Sequence, residues 1–266
     1  MKTLNTNAVV THITEFLKEY ADNAGIKTLV VGISGGIDSS VVSALCVRTG
    51  LDVIMVDMPI GTNGNTLGKQ HYDSLGELDN IHYYKVDLTE SFETQRETLV
   101  RAGLSESKLQ VANMASRLRM LTLYAFSNRH SGLVVGTGNK VEDFGVGFFT
   151  RGGDGTVDIS PIADLMKSEV YALGSELGVI DEILQAKPTD GLWDDGRTDE
   201  DQIGASYDEL EWAMRVEEGG YNPMYLTSRE MEVMKIYKKW NHRNKFKMVE
   251  VPICRVTDEI KYQNKL

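Results

Sequence analysis

The chain has 266 residues, a hydrophobic fraction of 41% and a formal net charge of −11. That length is enough for one large domain or two small ones with a substantial buried core. The acidic balance argues against general nucleic-acid binding, which needs basic surface, and the lack of a long uninterrupted apolar run argues against a membrane span. Two cysteines, Cys46 and Cys254, cannot build a disulfide framework, so we expect a reduced, cytoplasmic protein.

The first half of the chain alternates between apolar β-rich runs and helical patterns. An amphipathic helix is predicted at the N-terminus, where a signal peptide pattern is missing. Strands are predicted over 28–34, 51–58, 81–86 and 132–137, with a fifth and weaker candidate in VDISP after Thr156. Helices are predicted over 39–49, 65–78, 91–102 and 108–129. This alternation predicts a Rossmann-like, doubly wound parallel sheet, with its ligand site where the first and fourth strands diverge.

The chain becomes mainly helical after Pro161. Helices are predicted over 164–177, 179–185, 207–217 and 229–243, and TSRE at 227–230 has capping-box spacing for the last of them. We find no internal repeat and expect a single domain over 1–266 with a helical C-terminal portion. The acidic stretch 187–204 contains three glycines; a solvated surface loop and a lid over a site are equally weighted hypotheses for it.

Two familiar phosphate-loop patterns fail in this sequence. A Walker A loop needs G-x-x-x-x-G-K-[ST], but around Gly68 and Lys69 neither the first glycine nor the hydroxyl residue is present. A dinucleotide-binding G-x-G-x-x-G pattern begins at Gly136, but Val141 occupies the position of its third glycine.

A third pattern, S-G-G-x-D-S, is complete at residues 34–39, between a predicted strand and a predicted helix. Glycines let backbone N–H groups approach an anion, and a helix N-terminus adds a positive dipole end. Ser34 and Ser39 contribute hydroxyl groups. Asp38 beside a phosphate implies a bridging cation, so Mg²⁺ is predicted. The alternative is a glycine turn capped by Asp38, which accounts for neither serine.

This stretch resembles the pyrophosphate loop of the ATP pyrophosphatases, which have an adenine nucleotide alpha-hydrolase-like fold. Within that superfamily the chain is similar to the ammonia-dependent NAD synthetases. Four further stretches carry this resemblance: GTGNKVED (136–143), GFFTRGGDGTVDISPIADLMKSEV (147–170), KPTDGLWDDGRTDEDQIG (187–204) and NHRNKFK (241–247). The resemblance implies that ATP adenylates the carboxylate of deamido-NAD and that ammonia then displaces AMP, giving NAD and pyrophosphate. It also implies a homodimer.

The resemblance assigns roles to residues by their place in these motifs. It implies ATP contacts from Gly32, Ile33, Ser34, Gly35, Gly36, Ile37, Asp38, Ser39, Thr137, Lys167 and Thr189, with Asp38 and Lys167 catalytic. It implies contacts to deamido-NAD from Arg117, Arg151, Asp158, His242 and Arg243. From the residues alone, Lys167 is typical of a surface helix lysine.

The second metal ligand beside Asp38 stays open between two residues. Counting forward from Thr137 selects Glu142, whereas counting back from GFFT selects Asp143, because this segment is one residue longer than the family pattern. Glu142 is preferred.

Two other functions remain as alternatives. One is a different ligase of the same superfamily, and the other is a relative that binds nucleotide without catalysis. Free ammonia is the expected nitrogen source, because the chain before Gly32 is too short for an amidohydrolase domain and neither cysteine has the surroundings of a catalytic thiol.

Overall fold

A parallel sheet and its flanking helices form the first half of the computed structural model, which describes residues 4–61, 66–76, 78–188, 198–219 and 224–262. The strands are β1 (Thr28–Gly32), β2 (Asp52–Asp57), β3 (Ile81–Lys85) and β4 (Gly132–Val135). The helices among them are α1 (Thr6–Asn23), α2 (Ile37–Arg48), α3 (Leu67–Ser74), α4 (Thr89–Arg101) and α5 (Lys108–His130).

Helices dominate the chain after β4. A π-helix (Val141–Val146) comes first. It is followed by α6 (Lys167–Leu177), α7 (Asp181–Leu184), α8 (Asp199–Ile203), α9 (Tyr207–Glu217), α10 (Ser228–Asn244), a 3₁₀ turn (Lys245–Lys247) and α11 (Asp258–Lys261). No helix within the described ranges is long and apolar enough to cross a membrane.

The sheet has the order β3-β2-β1-β4, with every neighbouring pair parallel. Side chains alternate along β1: Leu29 and Val31 pack in the core against α1, α2 and α6, whereas Val30 packs in the core on the α5 side. Both faces of the sheet are therefore covered, as in parallel sheets generally. The strand order reverses between β1 and β4, as predicted, and in parallel sheets of this kind ligands bind beside such a reversal.

The predicted fifth strand is wrong. Ile159 forms only an isolated parallel bridge with Val135. The Asp158 N–H donates to the Val134 carbonyl and the Gly136 N–H donates to the Ile159 carbonyl, and the pairing extends no further. Pro161, which has no N–H to donate, follows two residues later.

Several predicted boundaries shift in the structure. α2 begins at Ile37 with Gly36 as its N-cap, so Asp38 lies in the first helical turn and is not the cap. The capping box at Thr227 and Glu230 is confirmed. Part of the predicted loop at 187–204 forms α8, and residues 189–197 of that stretch lie outside the described residues.

Candidate active site

The glycine loop that follows β1 is held in shape by its own serines. The Gly36 N–H donates to Ser34 Oγ at 3.2 Å, and the Ser34 N–H donates to Ser39 Oγ at 3.2 Å. Ser39 Oγ and Ser40 Oγ both donate to the Gly36 carbonyl, at 3.0 and 2.9 Å. Gly35 has a φ of +78°, a conformation that favours glycine. The first N–H groups of α2, which lack intrahelical acceptors, therefore emerge beside a fixed loop.

A carboxylate–lysine cluster (Asp38, Glu142 and Lys167) lies next to this loop. Lys167 Nζ donates to Asp38 Oδ2 at 2.5 Å and to Glu142 Oε1 at 3.1 Å. Lys167 is the first residue of α6 and is only 3% exposed. This lysine, which its own helix pattern alone would assign to the surface, is thus buried between two carboxylates that come from α2 and from the π-helix.

The electrostatics of the carboxylate–lysine cluster favour a charged lysine. Burial opposes the ammonium, but Asp38 and Glu142 outweigh that effect and raise the pKa of Lys167 above its ordinary value. Burial raises the pKa of Asp38, and the Lys167 ammonium counteracts it. A buried charge in proteins needs a partner of this kind.

The π-helix separates the two candidate metal ligands. Glu142 is directed to Lys167, whereas the Asp143 carboxylate packs against Gly138 so closely that a Cβ added there would clash with it. Burial, with Glu142, Asp154 and Asp38 nearby, raises the pKa of Asp143 to about 8. A π-turn accommodates one residue more than an α-turn, which matches the extra residue expected in this segment. The hydrogen bonds of Lys167 thus join Glu142, and not Asp143, to Asp38.

Two residues that the sequence analysis missed complete this region. Buried Asn139 donates from Nδ2 to Asp38 Oδ1 at 3.2 Å and accepts the Val141 and Glu142 N–H groups on Oδ1. The Tyr207 hydroxyl donates to Glu142 Oε1 at 2.6 Å. Asn139 belongs to the GTGNKVED stretch and could have been selected from it. Tyr207 lies at the start of an amphipathic helix, where nothing in the sequence distinguishes it from an ordinary core aromatic.

A cleft of about 920 Å³ lies over the loop and the cluster. Residues expected to contact ATP line it: Gly32, Ile33, Ser34, Gly35, Gly36, Ile37, Asp38, Ser39, Thr137 and Lys167. Glu142 and Asp143 line it too. Thr189, the remaining expected ATP contact, lies outside the described residues.

The cleft also has a cationic end (Arg117, Arg151, Arg243 and Lys247). Arg117 donates from Nε and Nη2 to the Arg151 carbonyl, both at 3.2 Å. Lys247, which the sequence analysis did not select, donates to the Gly147 carbonyl at 2.7 Å and to the Phe149 carbonyl at 2.5 Å. Burial together with Arg243 and Arg151 lowers the pKa of Lys247, so these cations are close enough to repel one another.

Two residues predicted to contact deamido-NAD are not among those that line the cleft. Asp158 accepts the Tyr124 hydroxyl at 3.1 Å and the Val134 N–H at 2.7 Å, so both of its carboxylate oxygens are engaged with the scaffold. His242 is exposed on α10. Their substrate contacts stay predictions.

Comparison with known proteins identifies the family of this chain. A model of the NAD synthase family matches residues 9–251. The chain belongs to the NAD synthase family. It is 39% identical over 214 residues to the NH₃-dependent NAD⁺ synthetase of Alkaliphilus oremlandii, which covers 77% of this chain and 84% of that protein. It is 34% identical over 257 residues to the corresponding protein of Archaeoglobus fulgidus, with coverage of 96% and 99%.

A solved structure extends the similarity to three dimensions. The NMN synthetase of Francisella tularensis superposes with a TM-score of 0.82 at 29% identity, covering 96% of this chain and 100% of that one. These matches confirm the predicted fold class and the prediction of an AMP-forming ligase of the NAD synthase family. They also place the glycine loop and the carboxylate–lysine cluster in a family that uses ATP.

Proposed function

We propose that this chain amidates the carboxylate of deamido-NAD with free ammonia and ATP, releasing NAD, AMP and pyrophosphate. The observation that carries this proposal is a single cleft with two different ends. One end combines a glycine loop with the carboxylate–lysine cluster, which suits a nucleotide triphosphate. The other is the cationic end, which suits the phosphate groups of a dinucleotide.

The carboxylates of Asp38 and Glu142 suit Mg²⁺. Both contact one cation already, the Lys167 ammonium, so the position between them favours positive charge. No three His, Cys, Asp or Glu side chains converge as a metal site in the part of the chain that the structure describes. Mg²⁺ at nucleotide sites is commonly held by one or two carboxylates together with phosphate oxygens, so two protein ligands are enough. When bound, Mg²⁺ would neutralise charge on the ATP phosphates.

The protein's own residues act by position and charge. The N–H groups of the loop and of the α2 N-terminus would cradle the β and γ phosphates, the future pyrophosphate. Lys167 would offset charge that develops on the phosphates as the substrate carboxylate attacks the α-phosphorus. This step is an in-line displacement by the substrate's own oxygen and needs no nucleophilic side chain.

In this proposal, deamido-NAD lies along the cleft and extends toward the cationic end. Arg117, Arg151 and Arg243 were expected to contact it, and Lys247 joins them because its ammonium lies on the same wall. The predicted contacts from Asp158 and His242 would need a rearrangement of the scaffold or of α10. The predicted ATP contact of Thr189 and the predicted lid at 187–204 remain proposals.

A second candidate is amidation of the mononucleotide, because the similar Francisella tularensis structure is an NMN synthetase. The two substrates share the nicotinate carboxylate and differ in the adenylate half. Incubating the chain with ATP, Mg²⁺ and ammonium, together with either deamido-NAD or nicotinic acid mononucleotide, distinguishes them by mass spectrometry. Higher kcat/KM for the mononucleotide would refute the deamido-NAD assignment.

The nitrogen source is tested in the same assay. Glutamine replaces ammonium as the sole donor, and we expect no NAD and no glutamate. Comparable NAD formation from glutamine, with glutamate released in step, would refute the ammonia-only proposal. Release of pyrophosphate in the complete mixture also separates a ligase from a relative that only binds nucleotide.

A homodimer through α5 is part of the proposal. Leu121 is 68% exposed and Leu109 is 56% exposed on this helix, and Leu109 also lines the cleft. The family resemblance carries the homodimer proposal, and these two exposed leucines are residues that an interface through α5 would bury. Light scattering after size exclusion should give twice the chain mass, and Leu121→Glu should give monomers.

A further inference from the structure

Tyr207 begins α9 at a well-fixed position. The N-cap Ser206 and Glu209 form a capping box, and the Tyr207 N–H donates to Glu200 Oε1 at 2.8 Å. The side chain is 5% exposed. Its hydroxyl therefore has little freedom to move relative to the carboxylate–lysine cluster.

The Tyr207 side chain contacts two members of the carboxylate–lysine cluster. Its hydroxyl donates to Glu142 Oε1 at 2.6 Å, and its ring centroid lies 4.6 Å from Lys167 Nζ. Lys167 donates to that same Oε1 atom at 3.1 Å. Both protein donors thus meet on one oxygen of Glu142, and no hydrogen bond from the described residues reaches Oε2.

We propose that Tyr207 is a positioning residue for the metal ligand Glu142. By holding Oε1 together with Lys167, it leaves Oε2 as the oxygen available to Mg²⁺. Hydrogen-bond partners of metal ligands fix ligand orientation, and their loss commonly costs 10–100-fold in metal affinity or activity. This inference rests on the proposed function, because it takes Glu142 as a ligand of the Mg²⁺ that accompanies ATP.

A second helix residue contributes to the same geometry from one turn further along α9. Buried Glu211 accepts the Ser168 N–H and the Ser168 hydroxyl, both at 2.7 Å. Ser168 follows Lys167, so Glu211 anchors the start of α6 while the Tyr207 ring contacts the Lys167 ammonium. Residues 207 and 211 lie on one face of α9 because they are four positions apart. α9 therefore orients both Glu142 and Lys167.

A core aromatic with no functional role is the competing explanation, and Tyr237 offers a matched control. Tyr237 is 3% exposed, belongs to the same helical core as Tyr207 and, like Tyr207, is not among the residues that line the cleft. Tyr207→Phe removes the hydroxyl that donates to Glu142, Tyr237→Phe removes a hydroxyl that contacts no member of the carboxylate–lysine cluster, and both substitutions keep the ring. A packing role predicts similar effects of the two substitutions.

The experiment measures Mn²⁺ binding by electron paramagnetic resonance in the presence of ATP and without deamido-NAD, so that ATP is not consumed. We expect Tyr207→Phe to weaken Mn²⁺ binding at least about tenfold and to shift the Mg²⁺ activation curve of NAD formation by a similar factor. Tyr237→Phe should match the unsubstituted chain in both measurements. Mn²⁺ affinity of Tyr207→Phe within twofold of that of Tyr237→Phe would overturn the proposal.

A double-mutant cycle keeps the proposal falsifiable if Tyr207→Phe also lowers stability. If Tyr207 acts through Glu142, its substitution should change Mn²⁺ affinity little in a Glu142→Gln background. Additive losses would overturn the positioning role. The two proposals fail separately: an unsubstituted chain that binds Mn²⁺ and ATP without forming amide refutes the proposed function, while the Mn²⁺ comparison still decides the role of Tyr207.

Discussion

Replacing Lys167 with methionine tests the carboxylate–lysine cluster most directly. Methionine is unbranched and fills much of the same volume, but it removes the ammonium between Asp38 Oδ2 and Glu142 Oε1, which lie 2.5 and 3.1 Å from Nζ. The two carboxylates would then face each other with side-chain exposures of only 18% and 17%. Removing one partner of a buried ion pair costs about 3–5 kcal/mol, a large share of a typical free energy of unfolding.

The pH dependence of this loss has a definite sign. Burial and Glu142 raise the pKa of Asp38, and Lys167 lowers it, so the substitution raises the folded-state pKa further. The folded variant then binds more protons than its unfolded chain between the unfolded pKa and this raised value. Stability contributed in this way is present at low pH and is lost as pH rises through the folded pKa. The penalty of Lys167→Met should therefore be largest near neutral and alkaline pH.

Urea unfolding of the unsubstituted chain and of Lys167→Met at about pH 8 and about pH 5 measures this difference. Asp38→Asn combined with Lys167→Met is the control, because it removes one unpaired carboxylate and should restore part of the stability. A penalty below about 1 kcal/mol at the higher pH, in the range of surface ion pairs, would refute the reasoning. So would a penalty that does not shrink on acidification.

Four further outcomes are expected. Asp38→Asn should abolish pyrophosphate release at saturating Mg²⁺ without unfolding the chain, and near-normal turnover would contradict its assignment. Lys247→Ala should raise the KM for deamido-NAD about tenfold or more, the loss of one charge-assisted contact, and leave the KM for ATP nearly unchanged. Burial lowers the pKa of His71 to about 4, so stability should fall by roughly 3 kcal/mol as pH drops from about 6.5 to 4, and His71→Gln should flatten this decline in urea titrations. Limited proteolysis within 187–204 should slow when ATP and deamido-NAD are both present, and equal cleavage would favour a solvated loop.

Much of the sheet could be predicted from the sequence because β1, β2 and β4 are buried along most of their length. Continuous apolar runs such as 28–31 are typical of central parallel strands. The VDISP stretch failed as a strand because its apolar content is low and its pairing is confined to Ile159. Helix α8 was missed because acidic residues and glycines dominate its surroundings, and its capping box, Thr198 with Asp201, is local and short.

The candidate site was less predictable because it assembles residues that are distant in the chain. The glycine loop is contiguous and follows a strand, so its pattern is readable. Lys167 lies 129 positions from Asp38, and nothing in its own helix distinguishes it from a surface lysine. Only the family resemblance selected it. The role of Tyr207 could not be predicted from the sequence, because its hydroxyl contact with Glu142 depends on how α9 packs against the π-helix.

Helix α6 packs against both halves of the chain and so brings them together at this site. Val170 and Leu173 belong to the core that contains β1 and α2, whereas Met166 belongs to the second core that contains α9 and α10. Gly174 approaches α2 so closely that an added Cβ would lie 2.7 Å from Ile37 Cδ1. Lys167 stands between these two cores. The first core supplies the loop and Asp38, and the second supplies the support for Glu142 through Tyr207. Because neither core can form the carboxylate–lysine cluster alone, the cluster requires the sheet and the C-terminal helices to pack together.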